Sequence, residues 1–159
     1  MSDYTTKIDI PAETRTKVIG LLSQQLADTL DLFTQIKQAH WNVKGIHFIA
    51  LHELFDKLAE ETEDYVDDMA ERITTLGGVA VGTARAAAKS SRLPEIPHTG
   101  LHGKHAVEAL VSLYVPLCAS TRKAIETASG FGDADTSDLF TGVSRGLDKS
   151  LWFLEAHLE

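Results

Sequence analysis

The chain has 159 residues, 43% of them hydrophobic and 24% charged, which is ordinary for one soluble globular domain with a buried core. Its formal net charge of −8 argues against a domain that binds nucleic acid through its overall field. The single cysteine, Cys118, excludes an intrachain disulfide and a cysteine-based zinc site, and it favours a reducing compartment. No apolar run is typical of a secretory signal or a membrane span. We therefore expect a cytoplasmic protein with one domain over residues 1–159 and a short polar tail at 1–9.

The first two predicted elements are long helices joined by a tight connection. The first begins near Pro11, which suits a first helical turn, and its apolar residues recur at spacings of three and four until His40. The connection at 42–47 is so short that the next helix is expected to be an antiparallel neighbour. That helix spans 48–76, has no internal proline or glycine, and is closed by the glycine pair that follows it.

The second half of the chain predicts a long crossover and two more long helices. The crossover carries a short helix at 84–89, and the third long helix covers 103–129, with Pro116 expected to kink or break it. The fourth runs from a cap at Asp135 or Thr136 to the end of the chain. No strand pattern competes. The sequence therefore predicts an all-α, ferritin-like four-helix bundle, with the short helix in the crossover between the second and third long helices.

The second helix carries a stripe of potential metal ligands beside its apolar face. At ~100° per residue, His52 and five carboxylates fall within an arc of ~100°. The five carboxylates are Asp56, Glu60, Glu63, Asp67 and Glu71. An ordinary surface helix has one apolar and one polar face, so a third face made of ligand-type side chains is unusual.

The stripe has a two-fold regularity. His52 and Asp56 form one i,i+4 pair and Asp67 and Glu71 form another, but ~16 Å of helical rise separates the two pairs. One chain cannot bring both pairs to the same metal ion. A second copy laid antiparallel across the middle of the stripe places His52 opposite Glu71 and Asp56 opposite Asp67, as in a two-fold dimer. The spacing therefore predicts two equivalent metal sites, each shared between two chains.

The alternative is a solvated acidic surface. Each carboxylate alone is more often exposed than bound to a metal, but like charges at i,i+4 cost roughly 0.2–0.5 kcal/mol each, and a cation would relieve that repulsion. A lone histidine is also more often structural, yet His40 lies beside His52 and Asp56 and is expected to join them. Imidazole with carboxylates suits iron or a similar divalent metal. A di-iron site within one chain is disfavoured, because the later helices lack Glu-x-x-His motifs.

Residues 37–78, KQAHWNVKGIHFIALHELFDKLAEETEDYVDDMAERITTLGG, resemble the signature of the Dps family, mini-ferritins named as DNA-binding proteins from starved cells. The closing stretch, SRGLDKSLWFLEAHLE, resembles the last helix of that family. The resemblance covers nearly the whole chain from about Tyr4. It rests on ligand positions separated by 12, 4, 11 and 4 residues, a specific pattern.

The resemblance implies a ferroxidase centre and a storage shell. The centre would take His40, His52 and Asp56 from one chain and Asp67 and Glu71 from its partner, with Lys37 and Trp41 close by. The family assembles twelve chains into a hollow shell, oxidises Fe(II) preferentially with hydrogen peroxide rather than O2, and stores a ferric mineral. Zinc is a candidate competitor for the same ligands.

Two further sets of acidic residues have roles implied by the resemblance. Asp133, Asp135 and Asp138 match the residues that line the three-fold pores of the family, with helix capping as the alternative; both can be true of the same residue. Glu60 and Glu63 are candidates for nucleating the mineral, and a solvated face is an equal alternative.

A second class of function is a nucleoid-associated protein that binds and protects DNA and holds metal only incidentally. DNA-binding members often carry a lysine-rich tail, whereas this sequence has only Lys7 before Pro11. Phosphate binding needs several cations, so we expect weak or no DNA binding. Any contact would involve basic residues such as Arg85, Lys89 and Arg92.

Three lesser features have simple interpretations. His98, His102 and His105 lie in a glycine-containing stretch that favours a loose geometry, so a surface metal site there is the minor alternative. Cys118 is expected to be a small core residue. Trp152 is expected to lie in the core or in an interface.

Overall fold

The computed structural model describes residues 4–159, so the first three residues of the expected tail lie outside the described part of the chain. Five helices follow one another in that part: α1 (Ala12–Asn42), α2 (Phe48–Thr75), α3 (Ala84–Ser90), α4 (Lys104–Gly130) and α5 (Ala134–Glu155). Four are long and α3 is the short helix of the crossover, so the predicted all-α bundle is confirmed. Within residues 4–159 no helix is long and apolar enough to cross a membrane.

The bundle consists of two antiparallel hairpins, α1 with α2 and α4 with α5. Contacts of α1 with α4 and of α2 with α5 join the hairpins. The predicted apolar face of α2 is its inner face, and the following side chains on it are at most 2% exposed: Leu51, Phe55, Leu58, Met69 and Ile73. Cys118 of α4 is buried, as predicted. Burial of apolar surface, at about 25 cal/mol per Å², is the main force that holds the hairpins together.

The two hairpins approach closely where Tyr65 of α2 packs over Gly146 of α5. A Cβ atom at Gly146 would lie 1.8 Å from the Tyr65 hydroxyl oxygen, so a larger residue there would force the ring to move. One turn earlier on α2, Glu61 accepts a hydrogen bond from the Ser150 hydroxyl at 3.2 Å. Tyr65 and Glu61 therefore face α5, and the carboxylate stripe of α2 remains accessible to solvent.

The start of α5 differs from the sequence prediction. Asp133, rather than Asp135 or Thr136, caps the helix, because its carboxylate accepts a hydrogen bond from the Thr136 backbone N–H at 3.0 Å. The chain reaches this cap through Gly132, whose φ of 84° favours glycine. The predicted cap was therefore placed two or three residues too late.

Two other predictions about α4 and α5 need correction. Pro116 does not break α4, which continues through the exposed proline, so the predicted break is wrong and the predicted kink stays a prediction. Trp152 is 62% exposed, so the expected core position is wrong for the single chain, and the interface position stays a prediction.

An ion pair and several hydrogen bonds between polar groups hold the crossover against α1. Asp28, only 1% exposed, pairs with the Arg92 guanidinium. Gln35 donates to the Pro94 carbonyl at 3.0 Å and accepts from the Ile96 N–H at 2.8 Å. Arg92 is thus committed to a buried carboxylate, which removes one cation from the basic group expected around α3.

One end of the bundle brings together the α1–α2 connection, the start of α4 and the end of the chain. The backbone of Lys44, in the connection, makes two hydrogen bonds. Its carbonyl accepts from the Gly103 N–H at 2.9 Å, and its N–H donates to the Leu101 carbonyl at 3.2 Å. Lys104 donates through Nζ to the Leu158 carbonyl at 3.3 Å. The first candidate metal ligands, His40 and His52, lie near this end of the bundle.

Candidate metal centre

Two histidine rings face each other where α1 ends and α2 begins. His40 is 8% exposed, and its ring stacks on that of His52 with centroids 3.8 Å and planes 20° apart. Nδ1 of His40 lies 2.8 Å from the His52 carbonyl oxygen, and Nδ1 of His52 lies 2.9 Å from the His40 carbonyl oxygen. A carbonyl oxygen only accepts, so both Nδ1 atoms donate. Each neutral ring keeps its lone pair on Nε2, the form in which histidine binds a metal.

Asp56, one turn further along α2, adds a carboxylate to the histidine pair. Its Oδ1 lies 3.8 Å from Nε2 of His40 and accepts a hydrogen bond from Nζ of Lys37 at 2.6 Å. The bond from Lys37 lowers the pKa of Asp56 below its ordinary value, so this carboxylate is ionised at neutral pH. Trp41, the neighbour of His40 in sequence, is 66% exposed. The structure therefore stacks His40 on His52 and places Asp56 near His40, with Lys37 bonded to Asp56.

The remaining carboxylates of the stripe are exposed and further along α2. Asp67 and Glu71 begin ~16 Å of helical rise beyond Asp56. Within residues 4–159 no lysine or arginine pairs with these two or with Glu60 and Glu63. In the same residues, no three His, Cys, Asp or Glu side chains are gathered so as to hold a metal ion. The described chain therefore does not by itself gather these side chains into one metal site.

The three aspartates at the start of α5 have different environments. Asp133 is 2% exposed and accepts from Nη2 of Arg72 at 2.8 and 3.0 Å and from the Thr136 hydroxyl at 2.7 Å. Burial would raise the pKa of Asp133, but the bonds from Thr136 and Arg72 outweigh it and lower that pKa. Asp135 and Asp138 are exposed. Asp133 therefore acts as a helix cap. The role of the three aspartates in a pore stays a prediction, and Asp135 and Asp138 would supply the accessible charge there.

The three histidines of the crossover do not form a cluster within one chain. Nε2 of His98 lies 2.8 Å from Oε1 of Glu95, and both side chains are exposed. His102 and His105 are exposed as well, and no group of three ligand-type side chains forms in residues 4–159. The minor alternative of a surface metal site within the chain therefore gains no support.

Sequence reasoning missed several contacts at these sites. The exchange of Nδ1 hydrogen bonds between His40 and His52 involves backbone carbonyls, which leave no sequence pattern. The pairing of Arg72 with Asp133 joins two helices distant in sequence. Lys37, by contrast, was expected close to the centre, and its spacing of three residues from His40 places it on a neighbouring part of the same helix surface.

Comparison with known proteins identifies the family. Residues 19–159 match the model of the ferritin-like domain. A DNA protection during starvation protein from Agrobacterium fabrum is 42% identical over 160 residues, which cover 100% of this chain and 98% of that protein. The chain belongs to the Dps family. The resemblance read from the ligand spacing is thereby confirmed.

Solved Dps structures share the fold along the whole chain. DpsC from Streptomyces coelicolor has a TM-score of 0.94 at 30% identity, covering 100% of this chain and 94% of that chain. A Dps protein from Vibrio cholerae, described as a member of a broad superfamily of ferritin-like diiron-carboxylate proteins, has a TM-score of 0.91 at 26% identity, covering 100% and 98%. The Dps fold of this chain thus agrees with the predicted ferritin-like bundle.

Proposed function

We propose that this Dps protein oxidises Fe(II) at centres shared between two chains and stores the ferric product inside a shell of twelve chains. Hydrogen peroxide is the preferred oxidant, with O2 as the alternative. The observation that carries the proposal is the arrangement of His40, His52 and Asp56, which presents two Nε2 lone pairs and one carboxylate. Iron is the substrate and cargo of this reaction.

The missing ligands come from a second copy of the chain. Asp67 and Glu71 lie on the same accessible stripe of α2 as His52 and Asp56, without cationic partners in the described chain. An antiparallel two-fold packing of α2 against α2 places the partner's Asp67 and Glu71 beside the first three ligands, and it does so twice per dimer. Each dimer then has two centres, and each centre uses both chains.

The residues of the centre have separable tasks. The carbonyl bonds to Nδ1 fix the ring orientation of His40 and His52 and keep Nε2 available for iron. The carboxylates neutralise the charge of the iron and leave coordination positions for the oxidant. Two Fe(II) ions give one electron each to hydrogen peroxide, its O–O bond breaks, and both oxygens leave as water after taking up protons. This stoichiometry avoids the release of hydroxyl radical.

Other acidic residues serve uptake and storage in this proposal. Asp135 and Asp138 are exposed and attract Fe(II) at the three-fold pores, while Glu60 and Glu63 hold ferric ions where the mineral starts. Zinc competes for the centre, because imidazole and carboxylate bind it as well.

Fe(II) oxidation under anaerobic conditions, with and without added peroxide, tests the proposal. We expect rapid formation of ferric absorbance only with peroxide, consumption of about two Fe(II) per peroxide, and iron that stays with the shell on gel filtration. His52→Ala should abolish the rapid phase without changing assembly. Equal rates for this variant and the parent protein would contradict a centre at these residues.

Binding to DNA should be weak. At about physiological salt, where the Debye length is ~8 Å, we expect no retardation of duplex DNA at micromolar protein, because the net charge of −8 per chain repels phosphate and Arg92 is bound to Asp28. A gel shift at that salt would instead favour the DNA-protecting function. In that case Arg85→Ala with Lys89→Ala should weaken it if the surface of α3 is the contact.

A further inference from the structure

Three aromatic rings lie against one another at the candidate centre, and two of them belong to proposed ligands. The third is Phe48, whose ring centroid is 5.0 Å from that of His52, at an interplanar angle of 32°. The ring of His40 contacts the same imidazole, with centroids 3.8 Å and planes 20° apart. We call His40, His52 and Phe48 the three-ring cluster.

Phe48 differs from the other apolar residues around the start of α2. Its spacing of four residues from His52 places both side chains on one surface of the helix. Phe48 is 38% exposed, whereas Ile46 and Ile49 are 96% and 60% exposed. The separation of the Phe48 and His52 rings lies in the range of ~4.5–7 Å in which aromatic pairs attract each other beyond the effect of buried area. The covered part of Phe48 is therefore engaged with a proposed ligand.

The hydrogen bond from Nδ1 does not by itself fix the ring of His52. Nδ1 donates to the His40 carbonyl at 2.9 Å, which holds one point on the edge of the imidazole. The ring can still tilt about that point, and a tilt moves Nε2, the atom that would bind metal. His52 is half-buried, and the solvent at its open side does not hold the ring in one orientation. Contact with another flat ring opposes the tilt.

We infer that Phe48 is a positioning residue of the metal centre, whose aromatic ring holds the His52 imidazole so that Nε2 points to the substrate metal. The inference rests on the proposed function, since it assumes that His52 is a ligand. Groups that orient a metal-binding histidine typically change metal affinity by roughly 10–100-fold. The flat shape of the ring is the property that matters, because it restrains the orientation of the imidazole.

A role in subunit contact alone makes a different prediction. The antiparallel two-fold packing proposed above places Phe48 near the end of the partner's α2. For that contact, an aliphatic side chain of similar size would serve as well as a phenyl ring. Aromatic and aliphatic replacements of Phe48 therefore distinguish a positioning residue from an apolar contact.

Titration of the assembled, iron-free protein with Co(II) measures the effect of Phe48 on the centre. Calorimetry gives Kd, and visible absorbance reports the coordination geometry of the cobalt. We expect Phe48→Leu to weaken Co(II) binding about tenfold and to change the visible spectrum. Phe48→Tyr keeps the ring and should keep the Kd and the spectrum of the parent protein. A parental Kd and spectrum in Phe48→Leu, or an equal loss in Phe48→Tyr, would overturn the inference.

Two further variants control for apolar surface and for assembly. Ile49→Ala removes apolar surface at the neighbouring, more exposed position and should leave Kd unchanged. Weakening equal to that of Phe48→Leu would indicate a general effect of the apolar surface and contradict the inference. Phe48→Ile is a second aliphatic variant, which decides the outcome if Phe48→Leu does not assemble. If light scattering shows that neither aliphatic variant assembles, the ring serves subunit contact and the inference fails.

The same titrations separate failure of this inference from failure of the proposed function. If Co(II) still binds with the parental Kd after His52→Ala and after Asp67→Ala, the centre is elsewhere and the proposed function fails. If these substitutions abolish binding while Phe48→Leu changes nothing, the centre stands and only the role of Phe48 is wrong.

Discussion

Two inactive variants should restore each other's activity when their chains are mixed. One variant carries His52→Ala and Asp56→Ala, and the other carries Asp67→Ala and Glu71→Ala. In a mixed dimer, one centre takes both damaged halves and the other takes both intact halves. Random reassembly makes half of the dimers mixed, so we expect about a quarter of the parent rate of peroxide-dependent Fe(II) oxidation.

The design of the mixing experiment excludes simpler explanations. Each variant must be dissociated and reassembled alone under the same conditions, and each should stay inactive. Mixing intact assemblies without dissociation should also give no activity, because no mixed dimers form. If reassembled mixtures of the correct size show no recovery, the centres are not shared between chains.

Much of the fold could be predicted because the helices are long and their apolar residues repeat regularly. The face that contains Phe55, Leu58 and Met69 is buried as its period of 3.6 requires. Helix ends were harder to predict, since several aspartates and a threonine compete for the cap of α5. The turn at Gly132 and the bonds of Asp133 with Thr136 and Arg72 are features of the folded chain. Exposure of Trp152 was missed because periodicity does not say which apolar face remains open in a single chain.

The ligand stripe of the candidate site was predictable for the same reason. Spacings of three and four place His52, Asp56, Asp67 and Glu71 on one side of α2 whatever the rest of the chain does. The fine geometry was not predictable, because it depends on how α1 lies against α2. The Lys37–Asp56 bond and the stacking of the two histidine rings are contacts between helices, and their lengths follow from packing rather than from spacing.

Removal of the exposed charges at the start of α5 should slow iron uptake. Asp135→Asn with Asp138→Asn takes two charges from each chain, and therefore six from a ring of three chains around a pore. Charged clefts raise the local concentration of counter-ions and speed association by ~10–10³ fold at low salt. We expect uptake at low ionic strength to slow about tenfold and to lose most of its dependence on salt. Stopped-flow measurement of Fe(II) oxidation over a range of salt concentrations tests this.

Assembly and stability should change little in that double variant. The side chain of Asp135 is 82% exposed and its oxygen is 3.8 Å from Nη2 of Arg72, too far for a strong bond. The lost interaction with the helix dipole is worth about 0.3–1 kcal/mol per charge. Unaffected uptake together with a large loss of stability would show that these residues act as helix caps and that iron reaches the interior elsewhere.

Asp133→Asn is the matched control, and it should have the reverse effect. Asp133 is buried against Arg72, so loss of its charge leaves the guanidinium without its partner and should cost about 3 kcal/mol in the free energy of unfolding. The pKa of Asp133 is lowered in the folded chain, so this stability is present above its ordinary value of 3.8 and is lost as the pH falls through the folded value. Urea unfolding at neutral pH should therefore separate the variant from the parent protein clearly, and the difference should shrink in acid. Iron uptake by the folded variant should keep its salt dependence, because Asp135 and Asp138 still supply the accessible charge of the pore.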